Sequence, residues 1–145
     1  MSASLNQAQW MKSKKVKSTK YGTLGSRKES RSIHKVLFYR TASGQEPVRD
    51  WLKQLDPVSR KRIGEDLYTL QLGWPVGMPL ARKLAPDLWE LRVHIPRGIV
   101  RIMFTEEKKA LVLLHGFIKK SQKLPASELD LAKARLASLK IGGRS

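Results

Sequence analysis

The chain has 145 residues and no cysteine, and its 29 Lys/Arg against 12 Asp/Glu give a formal charge of +17. That length suits one domain with short appendages, and the absence of cysteine excludes disulfides, thiolate zinc sites and thiol catalysis. No run approaches the roughly 18 apolar residues of a membrane helix, so the charge points to a polyanionic partner: nucleic acid, an acidic protein or an anionic membrane surface.

Residues 1–34 hold eight Lys/Arg against one acid, Glu29, for a net +7; residues 35–145 hold 21 against 11, for a net +10. The charge therefore belongs to the domain as well as to the extension. Residues 1–34 are rich in Ser, Lys and Gly with little apolar periodicity, and read as a disordered basic extension. It is either an arm that contacts RNA or a dispensable start, with Met11 as another candidate initiator. Met1 to Trp10 lacks the basic segment and apolar run of a secretory signal, so a cytoplasmic protein is expected.

A domain is expected over residues 35–140. Lys35 to Arg40 is short and rich in strand formers. Thr41 to Gln45 is a turn. Glu46 to Leu55 reads as a helix opened by Pro47, with Val48, Trp51, Leu52 and Leu55 at helical spacing. Asp56-Pro57 is an N-cap followed by an N1 proline. The second helix runs to about Leu72 on a stripe of Ile63, Leu67 and Leu70, with Val58 as a further candidate, and Gly73 ends it. Together the two helices should form a hairpin over one face of a sheet.

Trp74 to Asp87, with three prolines and a glycine, reads as a loop containing Arg82 and Lys83. In Leu88 to Ile95, Trp89, Leu91, Val93 and Ile95 alternate with Glu90, Arg92 and His94. In Ile99 to Glu106, Val100, Ile102 and Phe104 oppose Ile99, Arg101 and Met103. The Pro96-Arg97-Gly98 link is hairpin-sized. Pairing Ile95 with Gly98 sets Arg92 opposite Arg101, a repulsive arrangement that an anion between them would offset.

Glu106 to Lys109 is a turn. Leu111 to Ile118 is apolar on both faces and should be a central strand, with Gly116 marking a close backbone approach. Lys119 to Pro125 is a basic loop. A last helix spans Ala126 to about Leu139 on Leu129, Ala132, Leu136 and Leu139, followed by a frayed tail over 141–145. The order β-α-α-β-β-β-α predicts a small α+β domain, its sheet mostly antiparallel and its helices packed on one face.

His34, His94 and His115 lack metal-ligand spacing, and no carboxylate cluster accompanies them, so no metal and no cofactor is expected. A phosphate-binding glycine loop and a nucleophile elbow are also missing. What remains is a cationic group: Lys83, Arg92, Arg101, His115, Lys119, Lys120 and Lys123. RNA cleavage can run on such a group, because the 2′-hydroxyl supplies the nucleophile. Arginines suit the phosphorane charge, and His or Lys suits the proton transfers. Phe117 lies beside the cations and could stack a base, whereas Trp51, Trp89 and Phe104 are assigned to the core.

Lys83-Leu84, then Leu88-Trp89-Glu90-Leu91-Arg92, then Arg101-Ile102-Met103-Phe104 resemble the phage-derived HigB-like branch of the RelE toxin superfamily. So do Leu113-Leu114-His115-Gly116-Phe117-Ile118-Lys119-Lys120-Ser121-Gln122-Lys123 and the later Pro125, Glu128, Ala132 and Arg135. The resemblance covers residues 35 to 140. It implies a RelE-like fold and a type II toxin that cuts messenger RNA on the translating ribosome. It also implies a helix-turn-helix antitoxin of the HigA-like kind, and carries functional positions onto Lys83, Arg92, Arg101, His115, Lys119 and Lys120. The superfamily's C-terminal tyrosine has no counterpart, the last tyrosine being Tyr68; Glu90 is the carboxylate that could serve as base. Two other readings fit the charge: a non-catalytic RNA- or ribosome-binding module, and an inactive phage-derived partner of an antitoxin.

Overall fold

The computed structural model describes residues 33–77, 79–119 and 123–142. Its elements in chain order are β1 (Lys35–Phe38), α1 (Pro47–Lys53), α2 (Pro57–Gly73), β2 (Ala81–Ala85), β3 (Leu88–Ile95), β4 (Gly98–Glu107), β5 (Ala110–Lys119) and α3 (Ala126–Gly142). The five strands form one sheet in the order β1-β5-β4-β3-β2. All pairings are antiparallel except β1 with β5. The α+β class and the mostly antiparallel sheet are as expected. Among the described residues no helix is long and apolar enough to cross a membrane.

Local chemistry accounts for the helical hairpin. The Asp56 carboxylate accepts a hydrogen bond from the Ser59 N–H at 3.0 Å, and Pro57 fills the first helical position of α2, where a missing N–H costs nothing. Ile63, Leu67 and Leu70 are buried with Val48 and Leu52 of α1 against Val36, Leu91, Val93, Val100, Ile102, Phe104 and Leu113. Val58 lies outside that stripe at 64% exposure. Trp51 crosses β5 at Gly116, where an added Cβ would stand 2.5 Å from the indole. The glycine is thus the close approach that the sequence implied. Trp89 and Phe104 join this core, and Trp74 packs edge-on to both at 5.2 Å.

Four expectations need correction. Arg82 and Lys83 belong to a fifth strand, β2, which the prolines and glycine around it obscure; a strand of five residues needs only the β3 edge to pair with. The three helices do not share a face. The hairpin covers one side, while α3 covers the other, where Leu88, Met103, Val112, Leu114 and Phe117 pack with Ala132 and Leu136. A strand apolar on both faces requires cover on both, and the hairpin had already filled the first. At the N-terminus, residues 1–32 lie outside the described residues, but His34 is docked: it contacts Glu106 at 2.6 Å, its N–H donates to the Gln71 carbonyl, and its own carbonyl accepts from Gln71 Nε2. At the other end, α3 continues through Ile141 and Gly142, where a frayed tail was expected, and residues 143–145 lie outside the described part.

Candidate functional site

The β3–β4 hairpin has the register read from the sequence. Ile95 pairs with Gly98 and Arg92 with Arg101. Because opposite residues share a face, Glu90, Arg92 and His94 stand with Ile99, Arg101 and Met103 on the α3 side. On β5 the pairing jumps: Met103 faces His115, but Phe104 faces Leu113, leaving Leu114 as the extra residue of a β-bulge. Simple alternation would put His115 on the same side as Leu111 and Leu113, in the hairpin core. The bulge reverses the parity and sets His115, Phe117 and Lys119 beside the arginines. The Leu114 carbonyl accepts a 2.8 Å hydrogen bond from Arg135 Nη1 of α3.

At the centre, Glu90 and Arg101 are both at 0% exposure, joined by Glu90 Oε2 and Arg101 Nη1 at 3.1 Å. Glu90 Oε1 meets Arg82 Nε, also at 3.1 Å, from the edge strand. One buried carboxylate therefore holds two guanidinium groups, and Arg92 stands directly across from Arg101. Three arginines around one glutamate leave a net charge of +2 on three adjacent strands. Burying ions costs solvation, which close pairing offsets; the result fixes geometry more than it adds stability.

His115 forms the second half of the site. Its Nε2 is hydrogen-bonded to Glu128 Oε1 on the first turn of α3. With Glu128 as the acceptor, Nε2 is the donor of this bond and Nδ1 is left free of it. Phe117 stacks on the imidazole with centroids 5.6 Å apart and planes 26° apart. Further contacts seat α3: Arg135 lies 5.8 Å from the Tyr39 ring, the Tyr39 hydroxyl donates to Ser138 at 3.3 Å, and Lys140 meets Asp87 at 2.6 Å.

The structure thus brings together Arg92, Arg101 and His115. Lys119 closes the same face from opposite Ile99, and Lys123 is exposed ahead of α3. Lys120 lies outside the described residues. Three placements differ from expectation. Lys83 pairs with Trp89, its ammonium 5.6 Å from that ring, and so stands on the hairpin side, away from the arginines. Arg101 is enclosed with Glu90 rather than presented to solvent, which removes Glu90 from the role of base. Phe117 is buried and stacks on His115. Sequence reasoning missed Arg82 and Glu128 as members of the site. The pairing of Arg82 with Glu90 became visible only once β2 was a strand, and Glu128 had been noted only within the resemblance.

Among the described residues, no group of three or more His, Asp or Glu side chains could hold a metal ion. The arrangement offers a basic imidazole oriented by a carboxylate, next to fixed guanidinium charge. Residues 50–137 match the family model described as phage derived protein Gp49-like (DUF891). The chain belongs to this Gp49-like family. It is a phage-derived, toxin-like family within the RelE/HigB-like toxin superfamily, whose members are typically RNases, and membership implies an antitoxin partner. The matched stretch of the Gp49-like domain contains every strand and side chain of the site from Arg82 to Arg135. No curated protein matches the chain.

Proposed function

We propose that this Gp49-like protein is the toxin of a type II toxin–antitoxin system, of the phage-derived HigB-like branch, and that it cuts messenger RNA on the translating ribosome. Its site of action is the bacterial cytoplasm, and its antitoxin is a helix-turn-helix protein of the HigA-like kind. The observation that carries the reading is the His115–Glu128 pair on β5 and α3, on the same net-positive sheet face as Arg92 and separated from it by β4.

In this reading the RNA 2′-hydroxyl attacks the adjacent phosphorus. His115 Nδ1 takes the hydroxyl proton while Glu128 holds the ring and balances its new charge. Arg92 stabilises the equatorial oxygens of the phosphorane. Arg101, locked by Glu90, adds fixed positive charge from beneath. A lysine of the Lys119, Lys120 and Lys123 group protonates the departing 5′-oxygen, leaving a 2′,3′-cyclic phosphate on one product. No metal is needed in this scheme, because the hydroxyl comes with the substrate.

The test is induced expression in a bacterial culture, following growth and full-length transcripts, with wild type beside His115→Ala and Arg92→Ala. Wild type should arrest growth and shorten transcripts. His115→Ala should slow cleavage by roughly 10²- to 10⁴-fold, the usual range for a general base. Arrest with intact transcripts would replace this reading by RNA or ribosome binding. Normal growth at confirmed expression would indicate an inactive antitoxin partner.

A further inference from the structure

We infer that Arg82 is a phosphate-binding residue of the cationic face, aimed by Glu90, and that it grips an RNA phosphodiester alongside Arg92. The inference rests on the nuclease reading for its substrate class, though not for its geometry. Arg82 stands opposite Glu90, and Arg92 is two residues farther along β3. Cross-strand residues share a face, and diagonal neighbours of this kind lie about 7–8 Å apart at the backbone. Both long side chains can therefore reach one phosphate or two consecutive ones.

Burial divides the labour among the three arginines. Arg101 is enclosed at 0% exposure, whereas the Arg82 side chain is 38% exposed. Its contact with Glu90 uses Nε, the nitrogen nearest the stem. The terminal nitrogens, which make the planar fork that fits phosphate oxygens, lie beyond that contact. Glu90 is thus a positioning residue, holding the guanidinium from behind. β2 is an edge of the sheet, so a strand of RNA can approach Arg82 from the side as well as from above. The other β2 cation is turned to the opposite face, with Lys83 against Trp89.

A bland alternative exists in which Arg82 only staples β2 to β3. Arg82→Ala, Arg82→Lys and Lys83→Ala, each with a thermal unfolding curve, separate the two in a translation reaction with one defined messenger. Arg82→Ala should lower the cleavage rate about tenfold or more, the scale of one charged hydrogen bond. Lys83→Ala should lose less than Arg82→Ala does. Arg82→Lys should restore the melting temperature more fully than the rate, since an ammonium keeps the charge but not the fork. An Arg82→Ala protein that melts lower yet cuts at the wild-type rate would overturn the inference and leave the nuclease reading intact. If wild type cuts nothing, that reading fails first, and binding of single-stranded RNA across a salt series decides Arg82. A log–log slope shallower by about 0.7 in Arg82→Ala marks one lost phosphate contact, and an unchanged slope overturns the inference.

Discussion

The two faces of this sheet are closed in different ways. On the hairpin side, Leu52, Ile63, Leu67 and Leu70 meet Leu91, Ile102, Phe104 and Leu113, aliphatic and aromatic surface throughout. On the α3 side, a smaller apolar cluster around Met103, Leu114, Ala132 and Leu136 shares the face with a buried glutamate and a buried arginine. There α3 is seated largely by polar contacts to His115, the Leu114 carbonyl, Tyr39 and Asp87. The contrast teaches that one face supplies the stability that lets the other carry ions at a solvation cost.

Truncations on the two faces should respond differently to rescue. Phe104→Ala removes a fully buried ring and should destabilise by ~3–5 kcal/mol. Arg101→Ala takes the buried partner from Glu90 Oε2, leaving Arg82 on Oε1, and should cost up to ~3 kcal/mol. Replacing both charges with apolar side chains, as Arg101→Met with Glu90→Leu, should recover most of that loss, because a buried carboxylate short of one partner is what hurts. Urea midpoints of the single and double variants test this; a double variant no more stable than Arg101→Ala would show that the ion pair itself holds the face together.

A smaller effect is expected at the contact between α1 and β5. Gly116→Ala places a methyl 2.5 Å from the Trp51 ring and should cost about 1–3 kcal/mol by overpacking. Loss of stability with unchanged transcript cleavage would localise the damage to the hairpin side. Impaired cleavage at full stability would instead mean that Gly116 transmits strain to His115 next to it. At the start of α2, Asp56→Ala should cost about 1 kcal/mol through the lost cap, readable as a shift in urea midpoint and absent if water satisfies the Ser59 N–H equally well.

The smallest effect is acid sensitivity, with one pair on each side. The hydrogen bond with His34 holds the Glu106 carboxyl below its usual value of 4.5, and that with Lys140 holds Asp87 below 3.8. A carboxylate lowered on folding contributes stability above its unfolded value, and the contribution is lost as pH falls through the folded value. Stability should therefore fall below about pH 4.5. His34→Ala should remove part of that slope by freeing Glu106, and Lys140→Ala should remove another part by freeing Asp87. Both pairs are partly exposed, so each change is small, on the order of a few tenths of a kcal/mol for Glu106. Urea midpoints measured down the pH series check it; variants with the wild-type slope would remove these pairs from the account.

What the sequence determined by itself was local or one turn away from local. The capped start of α2 and the alternation of β3 and β4 were legible, and pairing Ile95 with Gly98 across the hairpin-sized Pro96-Arg97-Gly98 link set Arg92 opposite Arg101, as the structure has it. Gly116 was legible as a close approach because a bare backbone inside a strand leaves room for a neighbour. Tertiary structure decided the rest, because which side of a strand a residue occupies depends on its partner strand. The bulge at Leu114 turned His115 out of the hairpin core and into reach of Glu128, thirteen residues later. Pairing of β2 with β3 sent Arg82 to the charged face and Lys83 to Trp89. Glu90 then closed over Arg101, since a buried carboxylate and a buried guanidinium can remain dry only in each other's company.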